Sequence, residues 1–185
     1  MEIQQLYQLF LTHPLIDTDS RSVQKNSIFF ALKGENFNGN LFAEEALKKG
    51  AAFAVVDEDL YPSNPNIIVV EDVLTSLQQL ANHHRNLLNI PIISLTGSNG
   101  KTTTKELINA VLSTKFKTIA TKGNLNNHIG VPLTLLSITK ETEIAIVEMG
   151  ANHQKEIEFL CSIAEPNFGY ITNFGKAHLE GFGGV

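Results

Sequence analysis

The residues best suited to chemistry run from Ile92 to Thr103 and read Ile92-Ile93-Ser94-Leu95-Thr96-Gly97-Ser98-Asn99-Gly100-Lys101-Thr102-Thr103. An apolar β run enters a glycine-bearing turn, and a helical pattern leaves it. Glycines let backbone N–H groups converge on phosphate oxygens, and the helix N-terminus adds partial positive charge. A lysine at that point reaches the outer phosphates, and a threonine hydroxyl can ligate Mg²⁺. The spacing departs from G-x-x-x-x-G-K-[ST], because Leu95 stands five positions before Gly100 and the upstream glycine is Gly97, so the loop is tighter. The four residues Gly97 to Gly100 could also be a plain turn followed by a solvated lysine. The strand before them and the helix after them favour a phosphate loop, in which Gly97, Ser98, Asn99, Gly100, Lys101, Thr102 and Thr103 hold a nucleotide.

Such a site needs an acid for its metal. Ile144-Ala145-Ile146-Val147 is an apolar strand ending on Glu148, and ligands of open parallel sheets bind at strand C-termini. Glu148 is therefore the candidate metal ligand with Thr102, provided its strand neighbours the one feeding the glycine turn. Taken alone it is an ordinary strand-end acid. Gly123-Asn124-Leu125-Asn126-Asn127-His128-Ile129-Gly130 is open between a helix-initiating loop and part of the site, with Asn126 and Asn127 as its candidates. Asn173 to Glu180 places Asn173, Lys176 and His178 just after another strand, and His178 could ligate a second metal ion. His13, His83, His84 and His153 have no ligand spacing and read as surface or core.

These residues require strands that end together, and the chain supplies the alternation. From Ile92 onward it predicts strands at Ile92–Leu95, Lys117–Ala120, Ile144–Val147 and Tyr170–Ile171, separated by helices at Lys101–Leu112, Val131–Leu136 and Glu156–Ile163. Apolar strands alternating with helices mean a parallel sheet covered on both faces. Upstream, a helix over Ile3–Leu11 stops at His13-Pro14, a polar turn spans Asp17–Ser22, and Ile28–Leu32 is a strand followed by a loop from Gly34 to Asn40. A helix around Phe42–Lys49 closes on Gly50, strands follow at Phe53–Val56 and Ile67–Val70, and Asp72 caps a helix running to about Leu88. Ile90-Pro91 reads as a hinge. The fold class is thus α/β, with a small first domain over 1–88 and a truncated parallel-sheet phosphate-loop domain over 89–185.

Composition narrows the class. The 185 residues hold 14 Lys+Arg against 19 Asp+Glu, a net charge of −5, with no basic block to suit nucleic acid or an anionic membrane. The single cysteine, Cys161, forms no intramolecular disulfide and no cysteine-based zinc cluster, which fits a reducing cytoplasm. The N-terminal stretch lacks the basic leader of a signal peptide, and no apolar run approaches the ~18 residues of a membrane span. A cytoplasmic, monomeric protein without membrane insertion is expected.

The run Thr96 to Thr103 resembles the ATP loop of the Mur ligases, the ATP-dependent amide-forming enzymes of peptidoglycan precursor synthesis and cell-wall biogenesis. Gly123 to Leu136, Val147-Glu148-Met149-Gly150-Ala151-Asn152-His153 and Asn173 to Gly183 are similar to the branch that adds D-alanyl-D-alanine to a UDP-N-acetylmuramoyl-tripeptide. Asp19-Ser20-Arg21 and Phe29 to Glu35 resemble that branch's N-terminal domain. The resemblance implies that residues 1–88 bind the UDP-sugar end of the acceptor, with Ser20, Arg21, Asn38 and Gly39 as contacts. It implies that Lys101 and the loop hold ATP, with Asn126, Asn127 and Asn173 beside it. Thr102, Glu148 and His178 would hold Mg²⁺, and Lys101, Glu148 and His178 would be catalytic. The acceptor carboxylate would attack the γ-phosphate to form an acyl phosphate, which the amine of D-Ala-D-Ala displaces. A carbamylated lysine and a closing C-terminal domain belong to the family and match nothing before Val185, so the chain alone is expected to be inactive. Two departures stand out: Asn38-Gly39-Asn40 replaces a common Asp-Gly-His, and His128 replaces a frequent acid. A non-catalytic nucleotide-binding fragment, another Mur-type ligase and a kinase with a phosphate loop are the competing readings.

Overall fold

The structure, a computed structural model, describes residues 2–175. Its internal contacts divide the chain into two units, Met1–His83 and His84–Val185. The first contains α1 (Ile3–Thr12), β1 (Ile16–Asp17), β2 (Ile28–Phe30), β3 (Lys33–Gly34), β4 (Phe37–Asn38), a 3₁₀ turn (Gly39–Phe42), α2 (Ala43–Lys49), β5 (Phe53–Val56) and β6 (Ile67–Val69). The helix α3 (Val73–Leu87) leads into the second unit, which contains β7 (Ile92–Thr96), α4 (Lys101–Leu112), β8 (Thr118–Ala120), α5 (Gly130–Leu136), β9 (Ile144–Glu148), α6 (Glu156–Ala164) and β10 (Phe168–Ile171).

In the first unit a parallel sheet has the order β1-β2-β5-β6. Every residue of β2 is buried because helices cover the sheet, which is why Ile28-Phe29-Phe30 carries no polar alternation. Phe29 packs with Ala43, Ala46 and Ala54, and small alanines on α2 let the helix approach a phenylalanine on the sheet. Truncating such a side chain costs about 3–5 kcal/mol. Gly50, at φ 121°, ends α2 after its basic last turn of Lys48 and Lys49. The Asp72 carboxylate accepts the Thr75 N–H at 2.6 Å, so the cap expected for α3 is present.

Two local readings are corrected. The polar turn at Asp17–Ser22 begins inside the sheet: Ile16 and Asp17 pair with Ile28 and Phe29, and the buried Asp17 carboxylate accepts from Gln24 N (2.8 Å) and Nε2 (3.0 Å). The loop at Gly34–Asn40 contains the short antiparallel pair β3–β4. Gly39 turns the chain back over the sheet so closely that a Cβ there would run into the backbone of Ala31 and Leu32.

The second unit has the parallel order β10-β7-β9-β8. Leu95 of β7 is in register with Glu148 of β9, so the strand entering the glycine turn lies against the strand ending in the acid. Arg85, 8% exposed, fixes the entry to this sheet by donating to the carbonyls of Ala164 (3.0 Å) and Glu165 (2.9 Å) and to Asn167 Oδ1 (3.0 Å). The same Asn167 oxygen accepts the N–H of Ile92 at 2.8 Å. The α/β class with parallel sheets thus matches the expectation. No helix among the described residues is long and apolar enough to cross a membrane.

Candidate functional site

Gly97 (φ 138°) and Gly100 (φ 78°) both use backbone conformations that side-chain-bearing residues avoid. At Gly97 the requirement is doubled, because a Cβ would collide with Thr172 Oγ1 and sit 3.0 Å from Asn173 N. The turn is braced by the segment after β10. Asn173 accepts Ser98 N–H on its carbonyl (3.3 Å) and Asn99 N–H on Oδ1 (3.0 Å), and Thr172 Oγ1 donates to Asn99 O (2.6 Å). Ser98 Oγ donates to Gly175 O (3.0 Å) and accepts from Gly175 N (2.9 Å). Ser98, Asn99 and Asn173 therefore shape the loop with groups expected to face a nucleotide. Helix geometry leaves the first-turn N–H groups of Lys101, Thr102 and Thr103 without intrahelical acceptors, and Thr102 and Thr103 are exposed there. The Lys101 ammonium bends back to Gly97 O at 2.7 Å, placing a cation over the turn.

Glu148 is 2% exposed. Its Oε1 accepts from Asn126 Nδ2 at 2.8 Å, and its backbone N–H donates to Thr121 Oγ1 at 2.9 Å. Its Oε2 is buried and has no hydrogen-bond partner among the described residues. A buried carboxylate oxygen left unpaired carries a desolvation penalty, which a cation beside it removes. Among the described residues no group of three or more His, Cys, Asp or Glu is placed to hold a metal. That donor set fits Mg²⁺, a hard cation that takes one or two carboxylates, phosphate oxygens and waters instead of a full protein cage.

Lys101 lines a cleft of about 540 Å³ together with Asn124, Asn126, Asn127, His128, Gly150, Asn152, Glu156 and Phe159. Asn126 and Lys101 thus face one space. Asn127 lies on its wall, but its Oδ1 accepts from Ile129 N (3.1 Å) and Gly130 N (2.9 Å) and starts α5, so both readings of the 123–130 stretch have physical content. Glu156 accepts the N–H groups of Asn152 (2.6 Å) and His153 (3.0 Å), and the His153 and Asn152 bonds hold its carboxyl below the usual value. His178 and Lys176 lie outside the described residues.

The acceptor-binding candidates are held by separate networks in the first unit. Ser20 is buried and its carbonyl accepts Lys49 Nζ at 2.7 Å. Arg21 is exposed and forks onto Asp19 at 2.9 and 2.7 Å, which draws the Asp19 carboxyl down to about 2. Asn38 Oδ1 accepts from Asn40 N (3.0 Å) and Nδ2 (2.9 Å), and Asn38 Nδ2 donates to Glu58 at 3.1 Å. Asn40, fully buried, extends this network by donating to Asp57 Oδ1 (2.8 Å) and accepting from Asp57 N (3.0 Å).

Sequence reasoning passed over Lys105 and Thr121, both buried behind Glu148. A signal existed for Lys105, since it follows Lys101 by four positions and so shares its helix face.

Residues 14–85 match the family described as "Mur ligase family, catalytic domain", and residues 95–185 match "Mur ligase middle domain". The UDP-N-acetylmuramoyl-tripeptide–D-alanyl-D-alanine ligase of Bacillus subtilis (strain 168) is 44% identical over 170 residues, which are 91% of this chain and 37% of the relative. The enzyme of the same name from Escherichia coli (strain K12) is 41% identical over 95% of this chain and 38% of its own length. A crystal structure of MurF from Acinetobacter baumannii superposes with a TM-score of 0.88 at 38% identity, covering 98% of this chain and 43% of that one. MurF from Thermotoga maritima in complex with ADP gives 0.75 at 34% identity, covering 84% of this chain and 36% of that one. The chain therefore spans between a third and a half of the length of these relatives.

Proposed function

Because the chain belongs to the Mur ligase family, we propose that a full-length protein carrying it joins D-alanyl-D-alanine to a UDP-N-acetylmuramoyl-tripeptide with conversion of ATP to ADP and phosphate. The observation that carries the reading is the unpaired Oε2 of Glu148, buried at the end of the strand beside the glycine turn. An acid so placed has no partner for that oxygen among the described residues and a ready use for it at a phosphate-bound cation.

In this reading residues 1–88 take the UDP-sugar end of the acceptor, with Ser20, Arg21, Asn38 and Gly39 as contacts, and residues 89–185 take the nucleotide. The first-turn N–H groups of α4 bind phosphate oxygens, and the Lys101 ammonium leaves Gly97 O to pair with the transferring phosphoryl group. Glu148 and Thr102 would hold Mg²⁺, which would supply positive charge beside the phosphates, and Asn126 fixes Glu148 by holding its other oxygen. The acceptor carboxylate attacks the γ-phosphorus, ADP leaves, and an acyl phosphate forms. The free amine of D-Ala-D-Ala then attacks the acyl carbon, phosphate leaves, and the new amide nitrogen gives up a proton. Lys101 stabilises charge that redistributes only in the transition state, so Lys101→Ala should lower kcat about 100-fold or more with a much smaller change in substrate KM.

Phosphate release by the full-length protein with ATP, Mg²⁺, UDP-N-acetylmuramoyl-tripeptide and D-Ala-D-Ala tests the assignment. Release that requires D-Ala-D-Ala supports it. Release with L-glutamate or a diamino acid, and none with D-Ala-D-Ala, overturns it.

A further inference from the structure

Lys105 is 1% exposed, an unusual place for an ammonium group. Its Nζ donates to the carbonyl of Thr121 at 2.6 Å and pairs with Glu106 Oε1 at 2.9 Å. Thr121 is the residue after β8, and its N–H still follows the parallel ladder by donating to Ile146 O at 2.9 Å. With Ala120 in register with Ile146, the next bond of a regular ladder would run from Glu148 N–H to Thr121 O. That bond is replaced. Glu148 N–H goes to the Thr121 hydroxyl at 2.9 Å, and the freed carbonyl turns to Lys105. The exchange lets β8 leave the sheet one residue early without orphaning a buried carbonyl. The chain that leaves is the loop carrying Asn126 onto Glu148 Oε1, and Asn126 O in turn accepts Gly150 N–H at 2.8 Å on the far side of Glu148.

We propose that Lys105 is a positioning residue for the nucleotide site: by holding the Thr121 carbonyl off the ladder it seats the Thr121 hydroxyl under Glu148 and the Asn126 amide over it, so that Oε2 alone faces the cation. The role rests on the metal-binding reading of Glu148 given above. It differs from plain core support, because the group being fixed is one carboxylate oxygen and not the packing of α4.

Calorimetric titration of the full-length protein with ADP across a MgCl₂ series tests it, alongside kcat and KM for ATP and for the UDP-linked acceptor. Lys105→Met is expected to raise the Mg²⁺ concentration for half-maximal ADP binding about tenfold, within the range for lost support behind a metal ligand. It should lower kcat while leaving the acceptor KM unchanged, and Lys105→Arg, which still donates, should recover most of both. Thr121→Val removes only the hydroxyl and should give the same Mg²⁺ shift, so it decides the matter if Lys105→Met does not fold. A lowered Tm with an unmoved Mg²⁺ dependence in the variants that fold overturns the positioning role. Glu148→Gln separates the two levels: if it leaves the Mg²⁺ dependence of ADP binding unchanged, the metal role of Glu148 falls and this inference with it. If Glu148→Gln shifts that dependence and the Lys105 and Thr121 variants do not, the positioning role alone falls.

Discussion

Among the described residues each unit has a four-stranded parallel sheet, and an interior strand of each delivers an acid at its C-terminal end: Asp57 directly after β5 and Glu148 as the last residue of β9. Around Asp57 both carboxylate oxygens and the N–H are used. Oδ1 accepts from Asn40 Nδ2 (2.8 Å) and Lys33 Nζ (2.9 Å), and Oδ2 accepts the N–H of Val73 at 3.4 Å, at the start of α3. Around Glu148 one oxygen takes Asn126 and the other takes no partner among the described residues. The same position in the same architecture is closed on itself in one sheet and left with an open valence in the other. Strand-end location alone therefore does not mark a reacting group; incomplete satisfaction of a buried charge does.

The contrast is broken most directly at Glu148. Glu148→Gln keeps the size and the contact with Asn126 but removes the charge, so turnover of the full-length protein should fall about 100-fold or more. Its Tm should stay level or rise, because an unpaired buried anion is replaced by a neutral amide. Near-normal turnover at saturating Mg²⁺, or a marked drop in Tm, would show that Glu148 is a structural acid like Asp57. Asp57→Ala should do the reverse. It removes one of two acceptors from the buried Asn40 amide, which keeps Asn38 Oδ1, and the shorter of two carboxylates from Lys33, which keeps Glu58, costing about 2 kcal/mol of stability in the first unit. At a temperature where the variant is folded, kcat should match the parent, and a selective loss of kcat would place Asp57 in the chemistry.

Much of the second unit was legible because its strands are apolar runs and its helices have clear ends. The expected Lys101–Leu112 helix has those bounds, whereas the adjacency of β7 and β9, only a condition in the sequence reading, is supplied by the fold. The elements that escaped are those whose signal is tertiary. β1 is two residues long, too short for a periodic pattern, and is a strand only because β2 lies beside it. Asn38 and Asn40 read as loop residues, and only the fold brings Asp57 and Glu58 to them. Lys105 resembles any solvated helical lysine until the end of β8 is placed under α4. Long-range polar pairing has no local period, so composition and spacing are silent on it.

The smallest expected effect sharpens the contrast through pH. Burial raises the Asp57 pKa, but Lys33, the Asn40 amide and the Val73 N–H outweigh it, so the folded value lies below the ordinary one. A depressed folded pKa means that the unfolded chain takes up its proton first as pH falls. The stabilisation is thus complete above the unfolded value of about 3.9, shrinks below it, and is gone once pH has passed the folded value. Hydrogen-exchange protection of the β5 amides should therefore fall below pH ~4 more steeply in the parent than in Asp57→Asn, which has no such group to titrate. Asp19, held at about 2 chiefly by its hydrogen bond from Arg21, shifts in the same direction, but its pair is exposed and screened by salt. Asp19→Asn should accordingly follow the parent curve at moderate ionic strength. Parallel curves for the parent and Asp57→Asn would mean that the closed cluster contributes no net charge stabilisation, and that its hydrogen bonds alone distinguish it from the open one at Glu148.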